Sequence, residues 1–368
     1  MKILFTGGGT AGHINPALAV AGDLRRAHPD ADIRFMGCER GMENKLVPEA
    51  GYELYKVEVY GFERKHPMKN VKVFYCLQKA IRKAKKILKE FSPDVVVGTG
   101  GYACFAAVYA AHQLHIPILL HEQNAFPGVA IKKLAPYADK ILLTVPQSVQ
   151  YLKKYEHKCV VTGLPIRREI VTAEKNAARV KLGFDSRPLI LSVAGSLGSK
   201  MFNEVVADVL VHESEHRRFQ HVHVTGTRGM VWMPDLMKQK GLDFAFHPEL
   251  QMPEYISMPD YLAACDVIIS RCGANSLAEI EAQGKPSILV PSPRVAENHQ
   301  YHNGMTLVNA GAAVMIEEKD LTAETLTNAI ETLVCDPARL DEMGKAALSL
   351  AIFDANERIG NELLPYLN

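Results

Sequence analysis

This sequence predicts an α/β protein made of two Rossmann-like, doubly wound parallel-sheet domains that face each other across a central cleft. Short β-branched runs, apolar at consecutive positions, alternate with amphipathic helical segments along the chain, as strands buried on both faces alternate with crossover helices. At 368 residues the chain is too long for one ordinary core, and the alternation begins again past its middle. Three strand-to-helix turns are rich in glycine, and such turns are where open α/β sheets bind ligands.

In the first half, strands are expected at Ile3–Phe5, Ile33–Met36, Leu54–Val59, Val95–Val97, Ile118–Leu120, Ile141–Leu143 and Val160–Val161. A break follows at Gly163-Leu164-Pro165, with the charged Arg167-Arg168-Glu169 behind it. The second half offers Leu189–Val193, Val222–Val224, Phe244–Phe246, Val267–Ile269, Ser287–Val290 and Ala313–Ile316. Between strands, Ile14, Ala17, Leu18, Ala21 and Leu24 make one helical stripe, and Phe202, Val205, Val206 and Val209 another.

Apolar residues make up 48% of the chain and charged ones 23%, a globular balance rather than a disordered one. Forty-two Lys and Arg against 41 Asp and Glu leave a net charge of +1, so no global basic field draws nucleic acid. Seven scattered cysteines, never spaced C-x-x-C, predict reduced thiols in a cytosolic compartment, with neither a disulfide framework nor a zinc site. The first strand begins at once at Lys2, which argues against a signal peptide. The longest apolar stretch, Tyr102 to Leu120, is broken by His112, Gln113, His115 and Pro117, so no membrane span is expected. Asp30-Ala31-Asp32 resembles a metal-binding D-x-D but precedes the second strand, at the wrong end of the sheet. No other cluster has metal-ligand spacing, so no metal site is expected.

The first glycine turn is Thr6-Gly7-Gly8-Gly9-Thr10-Ala11-Gly12-His13. Its glycines let backbone approach a ligand, and the helix N-terminus behind it suits a phosphate or diphosphate. Gly7, Gly9 and Gly12 also satisfy G-x-G-x-x-G. The ribose-binding acid of a dinucleotide site is not clearly present, because Glu39 falls one residue late. His13 can serve as a general base, or as a capping or ligand-orienting residue. The second turn, Ala194-Gly195-Ser196-Leu197-Gly198-Ser199, reads as another phosphate nest, to which Ser196 adds a hydroxyl. The third is Ser270-Arg271-Cys272-Gly273-Ala274-Asn275-Ser276, with Glu279 further along the helix and suited to two ribose hydroxyls. Glu297-Asn298-His299-Gln300-Tyr301-His302-Asn303 is dense in groups that hydrogen-bond a sugar.

From Arg64 to Lys89 there are ten Lys or Arg, flanked only by Glu63 and Glu90 among acids. The segment reads as a helix with Phe74, Leu77, Ile81, Ala84 and Leu88 on one side and Lys79, Arg82, Lys83 and Lys86 on another. It can lie against anionic lipid, each cation contributing on the order of 1 kcal/mol, or it can be a solvated helix packed by its stripe.

Several of these stretches together carry a resemblance. Gly8-Gly9-Thr10-Ala11-Gly12-His13 with Asn15-Pro16, His121-Glu122-Gln123-Asn124, Gly163-Leu164-Pro165-Ile166-Arg167, Ser270-Arg271-Cys272-Gly273-Ala274, Glu279, and His299-Gln300 with Asn303 occur in one order. They resemble the MurG family, N-acetylglucosaminyltransferases that complete the lipid-linked peptidoglycan precursor, from about residue 2 to the carboxyl terminus. The resemblance implies a GT-B glycosyltransferase with an acceptor- and membrane-facing domain over 1–163 and a UDP-GlcNAc-binding domain over 164–350. A C-terminal helix over 351–368 would return to the first domain. It further implies UDP-GlcNAc as donor, an undecaprenyl-diphosphate-linked muramyl peptide as acceptor, and a peripheral place on the cytoplasmic face of the membrane. No cofactor would be tightly bound, and help from a divalent ion stays open.

Carried over by position, Arg167 and Ser196 would contact donor phosphates, and Ile256 would touch the uracil through its backbone. Gly273, Ala274, Asn275 and Ser276 would cap the α-phosphate, Glu279 would hold the ribose, and Gln300 and Asn303 would read the GlcNAc hydroxyls. Thr10, Ala11, Gly12 and Asn124 would complete the donor set from the first domain. Gly8, Gly9, Thr10, Gly12, His13, Gly101 and Tyr102 would receive the acceptor diphosphate. His13 is the candidate base, with Glu122 as rival or helper. Leu164, Leu197, Ser199, Ala11 and Ile131 depart from the family pattern, and a polar ligand replaced by Leu or Ile loses about 0.5–1.5 kcal/mol of hydrogen bonding. On the residues alone a UDP-GlcNAc 2-epimerase, an NAD dehydrogenase and a non-catalytic sugar-nucleotide or lipid sensor remain as alternatives.

Overall fold

Seven strands form the first sheet: β1 (Lys2–Gly7), β2 (Asp32–Cys38), β3 (Glu53–Val57), β4 (Val95–Gly100), β5 (Ile118–Glu122), β6 (Lys140–Leu143) and β7 (Cys159–Val161). They lie in the order β3-β2-β1-β4-β5-β6-β7, and every pair is parallel. Six more form the second: β8 (Leu189–Val193), β9 (Gln220–Val224), β10 (Leu250–Gln251), β11 (Val267–Ser270), β12 (Ser287–Leu289) and β13 (Ala313–Met315). Their order, β10-β9-β8-β11-β12-β13, is again parallel throughout. In this computed structural model residues 1–61, 70–195 and 197–367 are described. The chain divides into two units, Met1–Ile166 with Ile352–Asn368, and Arg167–Ala351.

The unbroken apolar runs follow from cover on both faces. In β1, Ile3 and Phe5 join Phe35 and Val97 beneath the helix Ala11–Ala27, whose Ile14, Ala17, Ala21 and Leu24 meet them. Leu4, between them in sequence, points to the other face with Met36, Val96 and Leu120, under the helices Asn70–Phe91 and Tyr102–Gln113. Each such large side chain, fully buried, contributes roughly 1.5–3 kcal/mol. The apolar stretch after Gly101 is therefore an alanine-rich core helix followed by β5. Among the described residues no helix is long and apolar enough to cross a membrane. The last helix, Ala355–Leu363, inserts Ile359 and Leu363 into the first unit's core beside Ile3 and Phe5.

Two expectations need correction. Phe244–Phe246 is one turn of 3-10 helix, because the Asp243 carboxylate accepts from the Ala245 N–H and curls the chain; the strand beside β9 is Leu250–Gln251 instead. In the helix Asn70–Phe91 the inward stripe runs through Val73, Cys76, Ala80, Ile81, Ala84, Leu88 and Phe91. Phe74 is not part of it. With Val71 and Tyr75 it is exposed, while Lys79, Arg82, Lys83 and Lys86 do face outward. Arg64, Lys65 and Lys69 lie outside the described residues.

Candidate active site

Both sheets reverse their winding between two central strands, β1 and β4 in the first unit and β8 and β11 in the second, and loops leaving such strands form the binding crevice of an open sheet. In the first unit these loops are Gly8–Thr10 and Gly100–Gly101. They touch backbone to backbone: the Gly8 N–H donates to Gly100 O at 3.3 Å, and a Cβ on Gly101 (φ +84°) would strike the Gly8 main chain. Two helices start there, at Ala11 and Tyr102, so their unpaired N–H groups open on the same edge of the sheet. Thr10 and Gly12 are exposed, and so is the Tyr102 ring.

A buried acid that sequence reasoning missed holds this loop. Glu43 Oε2 accepts from the Gly9 N–H at 3.0 Å and Oε1 from the Cys38 N–H at 2.8 Å. Its carboxylate fills the space where Cβ atoms on Gly8, Gly37 and Gly41 would stand. The glycines flanking it at 37 and 41 were the available signal.

His13 lies in the first helical turn, its carbonyl accepting from Thr99 Oγ1 at 2.8 Å. Its ring rests on Gly100, where a Cβ would come within 2.9 Å of Nδ1. Nδ1 is 3.1 Å from Gln123 Oε1. Glu122, in the same β5 end, is buried, and desolvation pushes its carboxyl up. Its oxygens are occupied by the Asn124 N–H (2.9 Å), Asn124 Nδ2 (3.0 Å) and the Gly128 N–H (2.7 Å). That geometry clamps the Asn124–Gly128 loop, whereas the half-buried His13 ring stands at the glycine loops.

In the second unit a cavity of about 450 Å³ lies at the β8/β11 edge, lined by Gly195, Gly198, Gly273, Ser276 and Gln300 among others. Lys200, Arg228, Arg271 and Arg294 also line it, four cations that the sequence reading did not assign. Arg271, inside the third glycine turn, and Lys200, directly behind Gly198-Ser199, were the two that a motif could have exposed. Arg271 is buried and fixes the walls: it donates to Ser199 Oγ at 2.6 Å and to Val290 O at 3.2 Å, and pairs with Glu318. A concentration of cations beside helix N-termini suits a diphosphate. A roomier cavity of about 590 Å³, walled by Tyr301, Met305 and Leu333, receives none of the glycine turns.

Other expected donor residues spread around this edge. Arg167 donates to Glu279 Oε1 through Nη2 (2.7 Å) and Nε (3.2 Å), so the expected phosphate and ribose ligands are each other's partners here. Gly273 caps the helix Ala274–Ala282, placing Asn275 and Ser276 in its first turn. Ile256 lies in the coil after β10. Gln300 Oε1 accepts from the Ser292 N–H at 2.8 Å, and Asn303, 4% exposed, donates from Nδ2 to Cys272 O at 3.2 Å, propping the third turn from behind. Glu297 and Asn298, at the entrance to that helix, both hold left-handed backbone angles. Ser196 lies outside the described residues, and the side chain of Ala11 is likewise not described. Of the departures from the family pattern, Leu164 and Ile131 are buried side chains and Leu197 is exposed.

Comparison with known proteins gives this geometry its kinship. Residues 3–143 match the glycosyltransferase family 28 N-terminal domain, and residues 189–359 its C-terminal domain. A UDP-N-acetylglucosamine--N-acetylmuramyl-(pentapeptide) pyrophosphoryl-undecaprenol N-acetylglucosamine transferase of Caldanaerobacter subterraneus is 42% identical over 98% of both chains. This chain belongs to the MurG family. A second MurG relative bearing the same name, from Halalkalibacterium halodurans, is 38% identical over 98% of each chain. The crystal structure of MurG from Acinetobacter baumannii superposes with a TM-score of 0.78 at 25% identity, covering 99% of each chain. A UDP-GlcNAc 2-epimerase from Neisseria meningitidis matches at 0.69 and 17% identity over 99% of this chain and all of its own, a likeness of fold alone. MurG kinship and the two parallel sheets together make the fold GT-B.

Proposed function

We propose that this chain transfers N-acetylglucosamine, with inversion, from UDP-GlcNAc to the C4 hydroxyl of the muramyl sugar of lipid I, giving lipid II. Kinship along nearly the whole chain to enzymes named for that transfer carries the reading. In the second unit, Arg167, Ser196 and the helix N-terminus at Gly273–Ser276 take the donor phosphates, joined by the cavity's Lys200, Arg228 and Arg294. Ile256 meets the uracil through its backbone, Glu279 the ribose, and Gln300 the GlcNAc hydroxyls, with Asn303 supporting. In the first unit, Gly8, Gly9, Thr10, Gly12, Gly101 and Tyr102 receive the acceptor diphosphate, while Thr10, Gly12 and Asn124 offer further donor contacts. His13 takes the hydroxyl proton and Glu122 shapes the loop beside it. Preorganised cations and N–H dipoles aimed at the leaving UDP are the kind of effect that dominates such catalysis. No tightly bound cofactor enters this reading.

The helix Asn70–Phe91 is the element we assign to the membrane surface. Exposed Val71, Phe74 and Tyr75 beside Lys72, Lys79, Arg82 and Lys86 combine an apolar tip with a cationic face, the pairing that holds a helix on anionic lipid. The protein would then work peripherally at the cytoplasmic leaflet. Incubating the full chain with labelled UDP-GlcNAc and a muramyl-diphosphate lipid tests the function. A labelled disaccharide lipid and one UDP per transfer are expected; an altered sugar nucleotide formed without lipid would replace this reading with epimerisation.

A further inference from the structure

We infer that Gln123 and His121 are positioning residues that lock the His13 imidazole in one tautomer, with the proton on Nδ1 and the lone pair on Nε2. The inference rests on the reading of His13 as the base and adds which ring nitrogen does the work and what holds it so.

The polarity of the chain of hydrogen bonds is fixed at both ends by groups that can only accept. Gln123 Nε2 lies 3.0 Å from the carbonyl oxygen of His121. A carbonyl never donates, so the end of the amide facing it is the NH₂ group. The opposite end, Oε1, therefore faces His13 Nδ1 at 3.1 Å and must accept. Nδ1 carries the hydrogen, and in a neutral ring Nε2 is left as the proton acceptor. The second N–H of the same amide points to His121 Nδ1 at 3.1 Å, which makes that nitrogen an acceptor. His121 Nε2 then holds its ring's hydrogen and donates it to Gly163 O at 3.2 Å, another group that only accepts. Both routes out of the amide thus agree: with both rings neutral, no other placement of the protons satisfies every contact.

The surroundings keep the lock shut. His121 and Gln123 are buried, and burial pushes the His121 imidazole down to about 4, so it stays neutral and keeps an acceptor for the amide. Gly100 leaves room for the His13 ring where any side chain would displace it. Among the described residues Glu122, on β5, is the ionisable group that interacts electrostatically with that ring, and His121 reaches it through the Gln123 amide; the Thr10–Gly12 and Thr99–Gly101 segments carry no ionisable side chain.

The step this serves balances simply. The acceptor C4 oxygen forms its bond to the anomeric carbon, the C–O bond to UDP breaks with its electron pair leaving on the phosphate, and the hydroxyl proton passes to His13 Nε2. The imidazolium keeps its Nδ1–H on Gln123 Oε1, so the partner need not move during the reaction. A neutral amide, unlike a carboxylate, orients the ring without holding a proton on it beforehand. In water a free imidazole favours hydrogen on Nε2, the nitrogen that must accept here, and the lock overrides that preference.

Nitrogen-15 NMR of histidine-labelled full-length protein, with His13→Ala identifying the signal, reads the tautomer without any turnover. The wild-type ring is expected in the Nδ1–H form near pH 8. Gln123→Leu should admit the Nε2–H form and lower kcat about 10–100-fold, less than the roughly 10²–10⁴ that a positioned base supplies in full, with the KM for UDP-GlcNAc unchanged. Gln123→Glu restores an acceptor, so it should recover the Nδ1–H form and most of kcat while moving the acid limb of the pH profile upward. A wild-type ring in the Nε2–H form, or Gln123→Leu with tautomer and kcat both unchanged, overturns the inference. Unchanged turnover in His13→Ala removes His13 as the base, while the wild-type spectrum still decides the lock.

Discussion

Glu43 and Glu122 are both buried acids, and main-chain N–H groups hold both, yet only one of them stood in a recognisable motif. Glu122 sits in the run His121-Glu122-Gln123-Asn124. Glu43 gains its role only when Gly8, Gly37 and Gly41 fold around its carboxylate, and of that approach the local sequence records only the nearby glycines at 37 and 41. Glu43→Ala leaves the Gly9 and Cys38 N–H groups without their acceptor and should cost about 1–3 kcal/mol, read as a lowered urea midpoint. His13 was legible because it follows the glycine turn directly, whereas Gln123 and His121 owe their part to contacts across 110 residues and 42 residues of chain. The buried histidines also set an acid limit. Burial pushes His121 to about 4 and His223 to about 3, below the 6.5 of an unfolded histidine. The unfolded chain therefore takes up protons first as pH falls. Their contribution is complete above about 6.5 and declines through 5 towards the folded values. The urea midpoint at pH 5 should lie below that at pH 7.5, and His121→Phe should flatten the difference.

Strands announce themselves by continuous apolar runs, and helices by their stripes, wherever packing on the sheet decides the outcome. Phe244–Phe246 reads as a strand on composition, but the Asp243 side chain competes for the Ala245 N–H and no neighbouring strand claims the segment. The helix Asn70–Phe91 shows the complementary case. Its periodicity was plain, yet Phe74 falls one position off the buried line through Val73, Cys76 and Ala80. An aromatic group left exposed beside lysines is a poor stabiliser of the fold and a good wedge for lipid. Phe74→Asp with Tyr75→Asp should reduce co-sedimentation with anionic vesicles several-fold and leave the unfolding midpoint nearly unchanged; equal sedimentation would remove this helix from the membrane-facing role.

For the molecule as a whole, two parallel sheets with glycine turns at both reversal points were readable from alternation alone, since each sheet is covered on both faces. The local periodicity of Ala355–Leu363 does not say which sheet that helix covers. The structure answers through Ile359 and Leu363, buried against the first unit's core, and through a hydrogen bond from Asn356 to Asp23. Ile359→Ala should cost about 2–5 kcal/mol and, in calorimetry, lower the melting of the first unit while sparing the second.

That closing helix has a consequence for biosynthesis. The segment 167–351 is continuous, so it can complete its sheet as soon as it clears the ribosome, while the earlier-made unit waits for residues 352–368 to cover its exposed face. The usual order, in which the amino-terminal domain of a nascent polypeptide matures first, would then be inverted. Ribosome stalling or loss of those final turns would leave an open, sticky half-product, the species on which a chaperone would act.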